Sequence, residues 1–176
     1  MLKKLIAHAT EIATNTNGYR LLPYQYPNGG GGVYVTDAHR ILELEKPFDG
    51  IDINIHDKVI VSIIERHMSL QGSRELNYTR YELPSVDYFK KGIRDTVGRK
   101  RDTLIWSDGY ITFNPRYLVK AMESLNAKAC YVSTNPTREC IFMYENDDLQ
   151  SWNREAILPV INTYNNRGFW KKEDER

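Results

Sequence analysis

Hydrophobic and polar positions alternate along this chain in a way that marks several helix-like segments and a series of short strands. Near the amino terminus Leu2, Leu5, Ile6, Ala9, Ile12 and Ala13 recur at helical spacing, with Lys3, Lys4, His8 and Glu11 on the remaining positions, so one amphipathic helix is expected there. Asn15, Asn17 and Gly18 end it. A short strand is expected over 21–26, bounded by Pro23 and Pro27, then a flexible NGGGG turn at 28–32. That glycine run lacks a following helix and a GK[ST] ending, so it reads as a hairpin loop and not a phosphate cradle. Positions 33–44, VYVTDAHRILEL, place the hexad TDAHRI between two runs of β-prone apolar residues.

The segment 51–68 carries both periods, and Asp57 as an N-cap favours a helix from Lys58. A strand is expected over 74–83, ending at Pro84, and then a basic stretch over 87–101 that reads as a short helix and a loop around Gly98. Asn114 is a good N-cap, and Pro115 follows at the first helical position, where its missing N–H costs nothing. Leu118, Ala121, Met122 and Leu125 form the buried stripe of that helix. Three strands should follow, over 129–133, 139–144 and 156–161, and the end of the chain, 165–176, is a polar basic tail.

Composition narrows the classes. With 176 residues and 41% hydrophobic content the chain can bury one proper core without metals or disulfides. The formal net charge is +1, so no global field points to nucleic acid. Cys130 and Cys140 lack a CxxC spacing and read as buried free thiols of a cytoplasmic protein. His8, His56 and His67 show no ligand spacing, so no metal and no cofactor is expected. No run reaches membrane-spanning length, and the basic start lacks the features of a signal peptide. Asp37 and His39, two apart, share a strand face and invite an acid–base reading as a small hydrolase. No nucleophile motif accompanies them, so no catalytic residue is assigned.

Three separated segments carry a resemblance. TDAHRI resembles the TDGHRL segment of bacterial DNA sliding clamps, the processivity factors of replicative DNA polymerases. YELPSVDY at 81–88 is similar to that family's FPDY segment. FNPRYLVKAMESL at 113–125, with Leu158-Pro159-Val160 in place of a terminal methionine-proline strand, looks like the family's last half-domain. The resemblance implies an α+β, DNA-clamp-like domain over 1–164, with a sub-boundary near 98–103. It implies strand-helix-three-strand repeats, antiparallel sheets on one side and two or three helices on the other.

It further implies a non-catalytic protein that tethers or recruits DNA replication or repair proteins. Their short peptides would meet a pocket of Thr36, Asp37, His39, Arg40, Ile41, Pro84, Leu158, Pro159 and Val160. Duplex DNA would be met without sequence preference by Lys3, Lys4, Arg116, Lys120 and Lys128 on the helices. Two features set this chain apart. Ala38 stands where the family has glycine, so its backbone angle is a point to test. The chain is also under half the length of a bacterial clamp, so a ring would need a higher homo-oligomer closed by a heterologous interface. The alternative is a phage or mobile-element interaction module that keeps the fold without encircling DNA.

Overall fold

The helix N-caps expected from sequence are where the chain turns into its helices. A computed structural model describes residues 2–15, 23–68, 78–95, 104–105, 112–133 and 140–159. In chain order these residues form α1 (Leu2–Thr14), β1 (Tyr24–Pro27), β2 (Val33–Thr36), β3 (Arg40–Leu44), β4 (Asp52–Ile53) and α2 (Lys58–His67). There follow β5 (Tyr78–Glu82), α3 (Val86–Asp95), β6 (Leu104–Ile105), β7 (Thr112–Phe113), α4 (Pro115–Leu125), β8 (Ala129–Ser133), β9 (Ile141–Tyr144) and β10 (Arg154–Ile157). The Asp57 side chain accepts the N–H groups of Val59 and Ile60 to start α2. Asn114 accepts that of Arg116 to start α4, which ends on Asn126 in the left-handed region (φ 53°).

Eight strands make one mixed sheet in the order β4-β1-β2-β3-β10-β9-β8-β5, and β6 pairs with β7 apart from it. Only the β1·β4 pair is parallel among the pairings described. The order is palindromic. One unit, α1 followed by the β1-β2-β3 meander, meets a second, α4 followed by the β8-β9-β10 meander, across the antiparallel β3·β10 seam. The strand expected ahead of each helix is not part of this pattern: β7 precedes α4 but pairs with β6 off the main sheet.

Strand alternation divides the core between the two sheet faces. On one face Val33, Val35, Leu42, Leu44, Met143 and Ile157 pack against Leu5, Ala9 and Ile12 of α1, Phe89 of α3, and Leu118 and Leu125 of α4. On the other, Tyr34, Ile41, Phe142, Tyr144 and Ala156 pack with Ile60 and Ile64 of α2 and with Met68. Helices therefore lie on both faces, and the described residues hold four of them, not two or three on one side. The reason is chemical: IFMY of β9 is buried along its whole length, so both faces of that strand need cover.

Some boundaries also differ from expectation. β10 begins at Arg154, two residues before the expected start, because Arg154 and Glu155 are buried charged residues within the strand. β1 begins after Pro23, while 21–22 lie outside the described residues, as do 74–77, 134–139 and 160–161. The glycine run is the β1–β2 hairpin loop. Gly32 there is obligatory, because a Cβ would lie 2.2 Å from the Leu44 carbonyl oxygen.

Replacing Asn114 with alanine is expected to lower unfolding free energy by about 1 kcal/mol, through loss of the cap at the start of α4. Equilibrium urea denaturation of the two proteins measures it, and an unchanged midpoint would show that Pro115 and the buried stripe set the helix start alone.

Candidate functional site

The TDAHRI turn is built from its own side chains. Thr36 Oγ1 donates to the Arg40 carbonyl (2.8 Å) and accepts the Ala38 N–H (3.1 Å). Asp37 Oδ1 accepts the backbone N–H groups of His39 (3.0 Å) and Arg40 (3.1 Å). Its Oδ2 accepts Arg40 Nε–H (3.0 Å) and the side-chain amide of Asn15, at the end of α1 (2.9 Å). Ala38 adopts φ 68°, the left-handed conformation that glycine would take without strain. Four donors thus converge on one carboxylate. Asp37 accepts the His39 backbone N–H, and the His39 ring stacks on Tyr117 at a centroid distance of 6.0 Å.

Arg40 is 1% exposed, and its guanidinium lies 4.5 Å above the Tyr117 ring while Nη2 reaches Glu11 at 3.5 Å. Burial lowers the Arg40 pKa, but Glu155, Asp37 and Glu11 outweigh it and hold the guanidinium further towards its charged form. Thr36, Asp37 and Ile41 are likewise buried. Those four residues are buried, and the polar groups of Thr36, Asp37 and Arg40 are engaged within the turn. The structure does bring Leu158 to the same place, its N–H donating to the His39 carbonyl (2.8 Å). His39, Leu158 and Pro159 are the partly exposed residues left at this sheet end. Pro84 does not join them. The register runs from Glu82 to Ala129, Tyr144, Arg154 and Glu43, which puts Pro84 beyond the opposite end of the sheet. Val160 lies outside the described residues.

The sequence-expected cations fare differently. Lys3, Lys4, Arg116, Lys120 and Lys128 are all exposed on α1, on α4 or just after it. Lys120 donates to Glu11 across the two helices (2.9 Å), and Lys90 of α3 donates to Glu123 (2.5 Å). Burial raises the Glu11 pKa, but the hydrogen bond and charge of Lys120, with Arg40 and His8, more than offset it and hold the carboxyl below its ordinary range. Between α1, α4 and residues 82–86 lies a groove of about 870 Å³. Pro84 lines it, together with Lys4, Lys120 and Lys128.

Beneath that groove is a pair that the sequence reading missed. His8 Nε2 lies 2.7 Å from Glu155 Oε2, with His8 4% exposed and Glu155 wholly buried. The pair spans 147 positions, so no local motif announces it. One signal existed, since position 8 falls on the same stripe as Leu5, Ala9 and Ile12.

Among the described residues no group of three or more His, Cys, Asp or Glu side chains is disposed to hold a metal ion. Cys130 and Cys140 are both buried, and burial pushes the Cys130 thiol far up, away from the reactive thiolate. No helix among the described residues is long and apolar enough to cross a membrane. Comparison of the chain with protein-family models, with curated proteins and with solved structures finds no match in any of the three.

Arg40→Ala is expected to destabilise the fold by about 3–5 kcal/mol, because Asp37 and Glu155 would keep buried charge without their cation. A urea-midpoint loss well under that range would mean that the Asp37 cluster is relaxed by solvent. The Glu11 clasp gives a pH expectation. A folded-state pKa below the unfolded value makes its contribution complete above the unfolded value and lost as pH falls through the folded one. Stability should therefore drop below the ordinary glutamate range, about pH 4.3, less steeply in Glu11→Gln. Because Glu11 is 43% exposed, solvent screening keeps the difference small. Thermal melts across acid pH measure it, and parallel curves for the two proteins would remove Glu11 from the acid response.

Proposed function

We propose that this protein is a non-catalytic, DNA-clamp-like tether that meets duplex DNA through the exposed face of α1 and α4 and recruits replication or repair proteins. The observation that carries this reading is the palindromic pair of helix-plus-meander units about β3·β10, with both unit helices on one sheet face. That face offers Lys3, Lys4, Arg116, Lys120 and Lys128 against Glu11 and Glu123, a surplus of positive charge in a chain that is nearly neutral overall. Exposed lysines and arginines on helices suit phosphates, whose contacts position a protein without reading bases.

Lys3, Lys4 and Arg116 reach solvent at opposite ends of the helix pair, because α1 runs from the Lys128 end of the sheet towards Asp37 and α4 runs back. A duplex lying along the pair would meet cations over its whole length. Recruited peptides would meet the partly exposed His39, Leu158 and Pro159. The second reading, an interaction module with this fold that does not encircle DNA, draws on the Glu11–Lys120 pair, which takes positive charge away from the helical face. Molar mass in solution separates the two, a closed oligomer favouring a ring and a monomer favouring the module.

Duplex binding of any sequence is expected, with log affinity falling linearly as log salt rises and the slope shrinking by about 0.9 for each phosphate contact removed. Changing Lys3, Lys4, Arg116 and Lys120 to glutamate should abolish it in fluorescence anisotropy at low salt. Binding that survives those four changes, or no binding by the native chain at low salt, would refute the DNA-facing role of the helices.

A further inference from the structure

The groove between α1, α4 and residues 82–86 shares Lys4, Lys120 and Lys128 with the DNA-facing surface and adds a cavity beside them. Three carboxylates line it, and each already holds a cation: Glu11 holds Lys120 and Arg40, Glu82 holds Arg80, and Glu123 holds Lys90. Lys4 and Lys128 line the same groove, and their side-chain ammonium groups form no ion pair among the described residues, although the Asp147 carboxylate accepts the Lys128 backbone N–H. The ten-residue α3 also begins here. Ser85 accepts the N–H groups of Tyr88, through its hydroxyl, and of Phe89, through its carbonyl, so the positive end of that helix sits at the groove wall.

A second, independent feature lies at the groove floor. His8 is buried and lines it; its Nε2 is committed to Glu155, and its Nδ1 has no hydrogen-bond partner. Buried polar atoms in native proteins are nearly always paired, and His8 Nδ1 is an exception in a residue that lines the same groove as Lys4, Lys128 and the start of α3. Leu83, Pro84, Val86 and Met122 supply an apolar wall beside these groups. At about 870 Å³ the space is of the size that holds small molecules, which in general occupy roughly 300–1,000 Å³.

We propose that this groove binds a small phosphorylated ligand of nucleotide size. Its phosphate sits between Lys4, Lys128 and the start of α3, above His8, and its ring or sugar lies on the Pro84–Met122 wall. The proposal does not rest on duplex binding, because it needs only the groove and two lysines.

The test is an amide chemical-shift titration of the full chain with adenosine 5′-monophosphate at constant ionic strength, alongside a short duplex. Saturable shifts at His8, Ser85 and Val86 are expected with the monophosphate. The Lys4→Ala/Lys128→Ala variant, altered only at exposed positions, should bind at least about tenfold more weakly with an unchanged melting temperature. Absence of saturable shifts overturns the proposal, as does equal affinity in the variant. Groove shifts that appear with the duplex and not with the monophosphate overturn it too, while leaving the DNA reading intact.

Discussion

The β3·β10 seam is the constraint on which the rest of the structure depends. Each of these two strands carries charge into the interior, and the pleat sends it to opposite faces of the sheet. Arg40 and Glu155 point towards α1, where Glu155 binds His8 and Arg40 binds Asp37 and Glu11. Glu43 and Arg154, direct cross-strand partners, point the other way and pair at 2.6 Å, with both side chains 2% exposed. A one-residue slip of β10 would exchange its faces and separate Glu155 from His8 and Arg154 from Glu43. Such pairs add little net stability, yet breaking them is costly, so their effect is to penalise every wrong alignment of the two units.

From that seam the ion pairs reach outward to the loops. Glu43 also accepts the Asn28 side-chain amide (3.0 Å), and Asn28 Oδ1 in turn accepts the N–H groups of Gly30 and Gly32. The glycine-rich hairpin is thus held from the core, which explains why it closes on the sheet. Burial and the Glu43 carboxylate act in opposite directions on Arg154, and Glu43 with Tyr144 prevails, keeping the guanidinium charged. On the helix side the same logic docks α1: Asn15 binds Asp37, His8 binds Glu155, and Leu5, Ala9 and Ile12 fill the space between. The placement of the basic helical face therefore follows from charges buried beneath it.

Much of this was legible in sequence where the signal is local. Asp57 and Asn114 marked the starts of α2 and α4, and the stripe of Leu118, Ala121, Met122 and Leu125 marked the buried side of α4. What escaped was set by partners far along the chain. Arg154 and Glu155 fall outside the expected strand over 156–161 because charge hides a strand, and Glu43 and His8, 111 and 147 positions away, offset their burial. Arg40 looked like a surface anchor for the same reason, since nothing near it in sequence reveals that Tyr117 and Glu11 enclose it. The resemblance implies that Pro84 joins the TDAHRI turn, whereas strand register sends it to the other end of the sheet.

The claim that duplex DNA lies along α1 and α4 is open to a direct map. Amide and lysine side-chain shifts, recorded on the full chain with and without a short duplex at low salt, locate the contact surface residue by residue. The account predicts changes concentrated at Lys3, Lys4, Arg116 and Lys120, with α2 and its exposed Val59 unaffected. Changes centred on α2, on the opposite face of the sheet, would contradict it.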